Sequence, residues 1–243
     1  MSRYILDDFT GAKIAITNTL DKQFGDLELI GTLMEYKHLQ KDYWEGVGVG
    51  GSIATAAAFW EDRIFFGACD KNFYCLDRNG KELWRFRTEG VIQCEAGVHD
   101  GLVFFGSQDR NVYAADCLTG ELKWKFPTNG FVIGYVLVHK GIVYAVSYDG
   151  NVYALEEKTG MELWRVTTHW AQTCIFEKDD ILYFGYRGGV FYAYDINARK
   201  FLWTFKAGQR EISIWNGCFW GNNVYFGCFD GNIFALDRKT GNL

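Results

Sequence analysis

The residues of this chain that are best suited to chemistry are four histidines, seven cysteines and an aspartate that recurs. No two of the histidines are two, three or four residues apart, the spacings at which a strand or helix presents a pair of ligands on one face. His99 and His139 stand in matching contexts, "VHDG" and "VHKG", which indicate exposed turns. The two others are His38 and His169. We therefore predict neither a metal site nor a catalytic residue.

The cysteines are scattered along the chain and form no C-x-x-C pair, the spacing typical of zinc and iron–sulfur sites. They are Cys69, Cys75, Cys94, Cys117, Cys174, Cys218 and Cys228. We expect reduced thiols that fill small positions in the core. The start of the chain, "MSRYILDDFTG", has no apolar run after basic residues and does not resemble a secretory signal peptide. These two observations predict a cytoplasmic protein.

Two further patterns invite a chemical interpretation. Asp70, Asp109, Asp149 and Asp230 recur in short turns, where an aspartate accepts hydrogen bonds from its own backbone. A ring of carboxylates that binds a cation is the alternative. The run "GVGVGG" (Gly46–Gly51) would need a strand before it and a helix after it to hold a phosphate, but the extended stretch "SIATAAAF" follows. We predict turns, a glycine-rich crossing and no cofactor.

The elements that position these residues repeat along the chain. Tryptophans close the repeated segments at steps of 40, 40 and 39 residues, at Trp84, Trp124, Trp164 and Trp203. One unit contains "FVIGYVLV", "GIVYAV", "NVYALE" and "MELWRV", four strands that we label A to D and that tight turns separate. A single four-stranded sheet does not bury its own faces, but several packed radially do. The sequence therefore predicts an all-β fold, a β-propeller of four-stranded blades.

The turn between strands C and D, followed by strand D, has the pattern A-x-D/E-x-x-T-G-x-x-x-W. This pattern resembles the tryptophan-docking motif of the PQQ-like (quinoprotein/BamB-type) repeat, and the resemblance covers residues 52–243. Gly80, Gly120 and Gly160 keep the motif's glycine, whereas Arg199 replaces it. The resemblance implies that the tryptophans dock structurally between blades. They are Trp84, Trp124, Trp164, Trp203 and, one step earlier, Trp44.

The quinoprotein dehydrogenases of this family use pyrroloquinoline quinone with a calcium-type ion held by Glu, Asn and Asp. No Glu, Asn and Asp of this sequence can be matched to that ligand set by motif, so we assign no catalytic residue from the resemblance. A quinone-dependent dehydrogenase is the least favoured interpretation.

Counting repeats predicts six blades in a single domain of residues 1–243. Their approximate bounds are 12–50, 51–90, 91–130, 131–170, 171–210 and 211–243, with an N-terminal strand of residues 2–8 completing the last blade. An alternative is that "YILDDFTG" (Tyr4–Gly11) is itself a turn between strands C and D, since it resembles "YALEEKTG". The chain would then be an open fragment or a swapped oligomer. A helix over Leu33–Trp44 is also compatible with the pattern.

Composition and the variation among loops limit the functions that we expect of this chain. The formal net charge is −5 and the basic residues are dispersed, which does not favour binding of nucleic acid. The sequence has no run of 18 apolar residues, so we predict no membrane span. The loops between strand D and the next strand A diverge while the turns repeat, so we predict a binding face there. Its candidate residues are His169, Trp170, Gln209, Arg210, Glu211 and Trp215.

We predict a non-catalytic scaffold that binds another protein. The alternatives are a small-ligand sensor at the central channel and a propeller enzyme with acid–base residues from different blades.

Overall fold

The computed structural model describes residues 3–5, 15–17, 53, 55–168, 172–186, 188–207, 214–228 and 232–243. The chain divides into two compact units, Met1–Ser52 and Ile53–Leu243. All regular structure in the described residues is β-strand, as the sequence predicts. Among these residues, none forms a helix with the length and apolar character needed to span a membrane.

The first unit contains an antiparallel hairpin of β1 (Arg3–Ile5) and β2 (Ala15–Thr17), in which Ile5 lies opposite Ala15. Ile5 and Ala15 are ten residues apart in the sequence. The paired residues Ala154 and Trp164, in a hairpin of strands C and D, have the same spacing. The segment therefore has the register of a hairpin of strands C and D, which the similarity of "YILDDFTG" to "YALEEKTG" indicates. Among the described strands, Arg3–Ile5 pairs with Ala15–Thr17, and the completion of the last blade by residues 2–8 stays a prediction.

The described residues of the second unit form five sheets of antiparallel strands, which we name sheets I to V in chain order. Sheet I has β3 (Ala58–Trp60), β4 (Arg63–Gly67), β5 (Asn72–Asp77) and β6 (Glu82–Arg87). Sheet II has β8 (Gly97–His99), β9 (Leu102–Ser107), β10 (Asn111–Asp116) and β11 (Leu122–Pro127). Sheet III has β12 (Gly134–His139), β13 (Ile142–Val146), β14 (Asn151–Glu156) and β15 (Glu162–Thr167). Sheet IV has β16 (Gln172–Lys178), β17 (Ile181–Tyr186), β18 (Val190–Asp195) and β19 (Lys200–Lys206).

Sheet V has three described strands, β20 (Ile214–Trp220), β21 (Asn223–Cys228) and β22 (Ile233–Asp237). They correspond to strands A, B and C of the other sheets. The described sheets therefore do not close, and the predicted count of six blades is not confirmed. Trp44, Leu33–Trp44 and the run Gly46–Gly51 lie outside the described residues.

A short strand joins two neighbouring sheets. β7 (Cys94–Glu95) precedes β8 in the chain but pairs in parallel with β12 of sheet III, with Gly134 opposite Cys94 and Tyr135 opposite Glu95. Strand A of sheet II thus consists of two short strands: β8 pairs within sheet II, and β7 pairs with sheet III. Backbone hydrogen bonds here reinforce the packing of side chains between sheets.

The core lies between the sheets. Residues on one face of a sheet pack on the next sheet along the chain; we call this the forward face, and the opposite one the rear face. Between sheets II and III, for example, the forward residues Phe104 and Val112 share a buried cluster with the rear residues Val143 and Leu155. Similar clusters join sheets I and II, III and IV, and IV and V. Because both faces of an inner sheet are covered, its strands are apolar at almost every position.

Candidate functional site

The indole of a strand-D tryptophan lies against the next sheet along the chain. Trp124 is only 7% exposed, and its Nε1 donates a hydrogen bond to the carbonyl oxygen of Glu157 at 2.8 Å. A Cβ added at Gly160 would lie 2.6 Å from the Trp124 ring, so the close approach requires glycine. The corresponding indole donors and carbonyl acceptors are Trp84 with Cys117 at 3.2 Å and Trp203 with Arg238 at 2.8 Å.

The contact between sheets III and IV departs from this pattern, as the sequence does. Arg199 occupies the position of the glycine with a left-handed φ of 51°, and its guanidinium lies 5.8 Å from the centre of the Trp164 ring. Trp164 packs between Tyr144 at 5.8 Å and Tyr194 at 5.7 Å, measured between ring centres. A cation–π contact therefore stands where the other junctions have glycine.

The forward face of sheet V differs from the forward faces of the other sheets in its exposure. Ile233, the first residue of β22, is 80% exposed. The residues at the matching position of strand C in sheets I to IV, all 0% exposed, are Phe73, Val112, Val152 and Phe191. An apolar position that is buried four times in this fold is therefore open to solvent in sheet V.

The same face carries further apolar and aromatic groups. Tyr225 on β21 lies opposite Ala235, and both are half-buried. The residues that match Tyr225 in sheets I to IV are fully buried, and each packs on the tryptophan of its own strand D at ring-centre distances of 5.7 to 5.9 Å. Trp220 on β20 is 78% exposed, and Cys218 is exposed beside it. Clustered apolar groups open to solvent are typical of an interaction surface.

A second notable group joins sheets III and IV. The Nε2 atom of His139 lies 2.8 Å from Oδ1 of Asp180, and its Nδ1 lies 3.2 Å from Oε2 of Glu177. The ammonium of Lys140 donates to both carboxylate oxygens of Asp180, at 2.6 and 2.7 Å. The arrangement places one imidazole between two carboxylates, with a lysine on one of them.

Both carboxylates of this group depart from the repeat. Glu177 stands in strand A where sheets II and III have valine, at Val98 and Val138. Asp180 stands in the turn between strands A and B with a left-handed φ of 61°, where sheets II and III have Gly101 and Gly141. Aspartate tolerates this conformation less well than glycine. The junction of sheets III and IV therefore contains both a residue with a left-handed φ and a half-buried charge.

The electrostatics of this group favour an ion cluster. The hydrogen bonds from Lys140, and then from His139, lower the pKa of Asp180 from 3.8 to about 2. One ligand atom each from His139, Glu177 and Asp180 lie within 4.8 Å of one another, which is a spacing that could hold a metal ion. A divalent cation would have to displace the Lys140 ammonium and a ring proton. In the observed arrangement, the cluster joins sheets III and IV through ion pairs.

A cleft of about 450 Å³ lies along the inner strands of sheets I, II and III. Four consecutive residues, Ala56–Phe59, line it together with Glu95, Ala96, Val98 and Tyr135. The pKa of the Tyr135 phenol is raised by burial and by the charge of Glu95, so this hydroxyl stays protonated near neutral pH. The cleft combines small apolar walls with one carboxylate and one phenol.

The described recurrent aspartates lie in the turns between strands B and C, as predicted. Their carboxylates also accept hydrogen bonds from groups outside the turn. Asp149 accepts the backbone N–H of Asn151 at 3.0 Å, the hydroxyl of Tyr153 at 2.6 Å and the N–H of Asn129 at 2.9 Å. Burial tends to raise the pKa of Asp149, but these hydrogen bonds lower it. Asn129 precedes strand A of the same sheet, so the carboxylate ties the entry loop to the turn. Asp230 lies outside the described residues.

Most of the predicted interaction face lies outside the described residues, namely His169, Trp170, Gln209, Arg210 and Glu211. The backbone of Trp215 belongs to β20. The face therefore stays a prediction. The predicted reduced thiols are free cysteines: five are buried, Cys228 is half-buried and Cys218 is exposed. Burial raises the pKa of Cys94 and of Cys174 to about 12, which keeps these two thiols unreactive near neutral pH.

Sequence reasoning missed the carboxylates that contact the two turn histidines. His99 Nδ1 lies 2.7 Å from Oε1 of Glu157, whose side chain is only 4% exposed, and His139 meets Glu177 and Asp180. The partners lie between 38 and 58 residues away in the sequence. Aligning this repeat with the two before it would have shown Glu177 and Asp180 in place of a valine and a glycine, which is the signal that was available.

This assembly of repeated four-stranded sheets, joined by docked tryptophans, defines a repeat protein of the β-propeller class. The sequence model of a protein family described as outer membrane protein assembly factor BamB matches residues 70–175. This match confirms the resemblance to the PQQ-like repeat over that range. No curated protein sequence matches the chain.

Solved structures show the same fold at low sequence identity. The crystal structure of BamB from Moraxella catarrhalis has a TM-score of 0.66 and 17% identity, with 78% of this chain and 60% of that chain covered. The computationally designed Ika8 protein has a TM-score of 0.66 and 23% identity, covering 74% of this chain and 57% of that one. The designed Ika4 protein has a TM-score of 0.56 and 23% identity, covering 62% and 92%. This chain thus spans less than two thirds of the first two structures.

Proposed function

We propose that this chain is a non-catalytic scaffold that binds another protein, and that the forward face of sheet V is its binding surface. The family match to an assembly factor and the likeness to BamB support a protein-interaction role in general. The loops between strand D and the next strand A, with His169, Trp170 and Gln209–Glu211, remain proposed as a second part of the surface. The buried free thiols agree with a cytoplasmic location, which is also a proposal.

The proposal rests on the exposure of Ile233, which is 80%, whereas the four residues at the matching position of sheets I to IV are 0% exposed. Covering an isoleucine side chain contributes about 1.5 to 3 kcal/mol. Trp220 adds an exposed aromatic anchor on the same face, and tryptophan is enriched among residues that dominate binding energy. A partner that covers this face would therefore gain from apolar groups that the described sheets leave exposed.

The test is site-specific photo-crosslinking in cells. A photoreactive phenylalanine analogue replaces Ile233 in one variant and Leu118, a 53% exposed residue in a turn of sheet II, in the other. We expect a discrete protein adduct at position 233 and a markedly weaker one at 118. Equal adducts at both positions, or none at 233, would refute the proposed surface.

The cleft of about 450 Å³ favours a second candidate, a small-ligand sensor. Its apolar walls and the Tyr135 phenol are the features that would contact such a ligand. Native mass spectrometry of the gently purified protein tests this candidate. An added mass of a few hundred daltons that Tyr135→Phe or Ala57→Leu removes would support it, whereas a bare chain mass would argue against it.

A further inference from the structure

Two successive junctions differ in the number of carboxylates that surround a turn histidine. His99 of sheet II meets one carboxylate of sheet III, that of Glu157 at 2.7 Å. His139 occupies the matching turn of sheet III and meets two carboxylates of sheet IV, those of Glu177 at 3.2 Å and Asp180 at 2.8 Å. Sheets II and III have valine and glycine at the positions of these two acids. Two departures from the repeat therefore converge on one imidazole.

One imidazole and two carboxylates form a ligand set for a divalent transition metal. One ligand atom each from His139, Glu177 and Asp180 lie within 4.8 Å of one another. Zn²⁺ binds imidazole nitrogen and carboxylate oxygen at about 2.0 to 2.2 Å, so the three atoms would have to approach one another by side-chain rotation. Ca²⁺ and Mg²⁺ prefer shells made of oxygen alone, so the imidazole favours zinc. The three side chains are 14 to 29% exposed, which leaves a path for the ion to enter from solvent.

A buried hydroxyl in the same junction has no hydrogen-bond partner among the described residues. It belongs to Tyr144, which is 0% exposed and packs in the cluster between sheets III and IV. The pKa of this phenol is raised by burial and further by the charges of Glu177 and Asp180, so the ring lies within electrostatic reach of both carboxylates. An unpaired buried hydroxyl often marks a place where water or an ion binds. Hydration of an ion held by the two carboxylates would give this hydroxyl a partner.

Lys140 would compete with a metal ion for Asp180. Its ammonium lies 2.6 Å from Oδ1 of Asp180, but its side chain is 66% exposed. An ion pair of such an exposed group contributes little to stability, because water solvates the freed ammonium well. Lys140 can therefore turn into solvent when a divalent ion binds, and its removal should make the site stronger.

We propose that His139, Glu177 and Asp180 bind a zinc ion that links sheet III to sheet IV, with Lys140 as a competing cation. The ion would join the end of β12 to β16 and the turn that follows it. It would reinforce the junction in which Arg199 stands in place of the glycine that receives a docked indole elsewhere. The site is separate from the proposed partner surface, and its ligands all belong to the described residues.

Titration of the full chain with Co²⁺, a spectroscopic substitute for zinc, tests the site under reducing conditions. We expect a visible absorption spectrum of nitrogen and oxygen ligation, without intense thiolate bands, that one equivalent of Zn²⁺ removes. His139→Ala and Asp180→Asn should each weaken Co²⁺ binding by at least about 10- to 100-fold, the loss known for groups that merely orient metal ligands. Lys140→Gln should strengthen binding by about two- to fivefold. The matched control His99→Ala should bind as the wild type does.

Thermal melting gives a second readout. Zn²⁺ at about a hundred times its dissociation constant should raise the melting temperature of the wild type by about 5 to 10 °C, and that of Asp180→Asn by clearly less. Asparagine tolerates a left-handed φ, so Asp180→Asn and Lys140→Gln decide the matter even if His139→Ala fails to fold.

Three outcomes overturn the proposal. The first is no cobalt spectrum at millimolar Co²⁺, or thiolate bands alone, which would leave the cluster as ion pairs. The second is equal binding by the wild type and Asp180→Asn. The third is weaker binding by Lys140→Gln, because the lysine would then support the ion rather than compete with it. None of these results bears on the crosslinking test of the scaffold proposal.

Discussion

Replacing Gly160 with alanine should destabilise the protein more than the same change at Gly80, although both glycines occupy the same place in the repeat. Gly160 has a φ of 71° and Gly80 a φ of 83°, so both variants put a Cβ into the left-handed region. That strain costs roughly 1 to 2 kcal/mol at either site. A Cβ at Gly160 would also lie 2.6 Å from the Trp124 ring, whereas nothing lies within 4 Å of one at Gly80. Overpacking of this kind costs about 1 to 3 kcal/mol more.

We therefore expect Gly160→Ala to lose about 2 kcal/mol more free energy of unfolding than Gly80→Ala. In a chain of this length the difference corresponds to a melting temperature lower by about 4 to 8 °C. Urea denaturation followed by tryptophan fluorescence measures the difference, with the m value as a check that the same transition is compared. Gly120→Ala, whose Cβ would lie 2.7 Å from the Trp84 ring, should behave like Gly160→Ala.

Equal losses at Gly80 and Gly160 would refute the reasoning, because the excess cost comes only from the docked indole. A second refuting result is an unchanged environment of Trp124. The indole N–H that donates to Glu157 should shift in an NMR spectrum of Gly160→Ala and stay in place in Gly80→Ala. If that signal stays in place in both variants, the tryptophan does not dock as described.

Three further predictions concern the contacts between and within sheets. Since Lys140 and His139 lower the folded-state pKa of Asp180 from 3.8 to about 2, Asp180 contributes stability above about pH 4 that is lost as the pH falls towards 2. Acid denaturation should therefore reduce the stability of the wild type more than that of Asp180→Asn over this range, and parallel curves would contradict this. Tyr153→Phe removes a donor 2.6 Å from the carboxylate of Asp149 and should cost about 1.5 to 3 kcal/mol in urea denaturation, with a loss below about 0.5 kcal/mol arguing against the contact. Arg199→Gly relieves a left-handed φ of 51° but removes a cation–π contact, so its unfolding free energy should stay within about 1 kcal/mol of the wild type, and a larger loss would show that the contact outweighs the strain.

Local patterns explain why much of the fold could be predicted. Alternating apolar residues identify a strand, and the glycine of the turn between strands C and D identifies where it reverses, because both depend on residues close in sequence. The 40-residue spacing of Trp84, Trp124 and Trp164 then indicates that the same unit recurs. The structure has these strands, and the indoles lie against the next sheet at each described junction.

The ends of the repeat array were harder to predict. The count of residues favoured a strand of residues 2–8 that closes a ring, which stays a prediction, whereas the pairing of Arg3–Ile5 with Ala15–Thr17 was foreseen only as an alternative. A strand of apolar residues is compatible with several partners, and only long-range packing selects one. The similarity of Tyr4–Gly11 to the recurrent turn was the local signal for the observed hairpin.

The sequence by itself determined the repeating strands, their turns and the positions of the docking tryptophans, since each follows from patterns within about 40 residues. Tertiary structure alone decided that His139 meets Glu177 and Asp180 and that the side chain of Glu157 is buried beside His99. These outcomes depend on which sheet, if any, covers a given face. Residues with the same local pattern can therefore have opposite environments, because burial is set by neighbours that are distant in sequence.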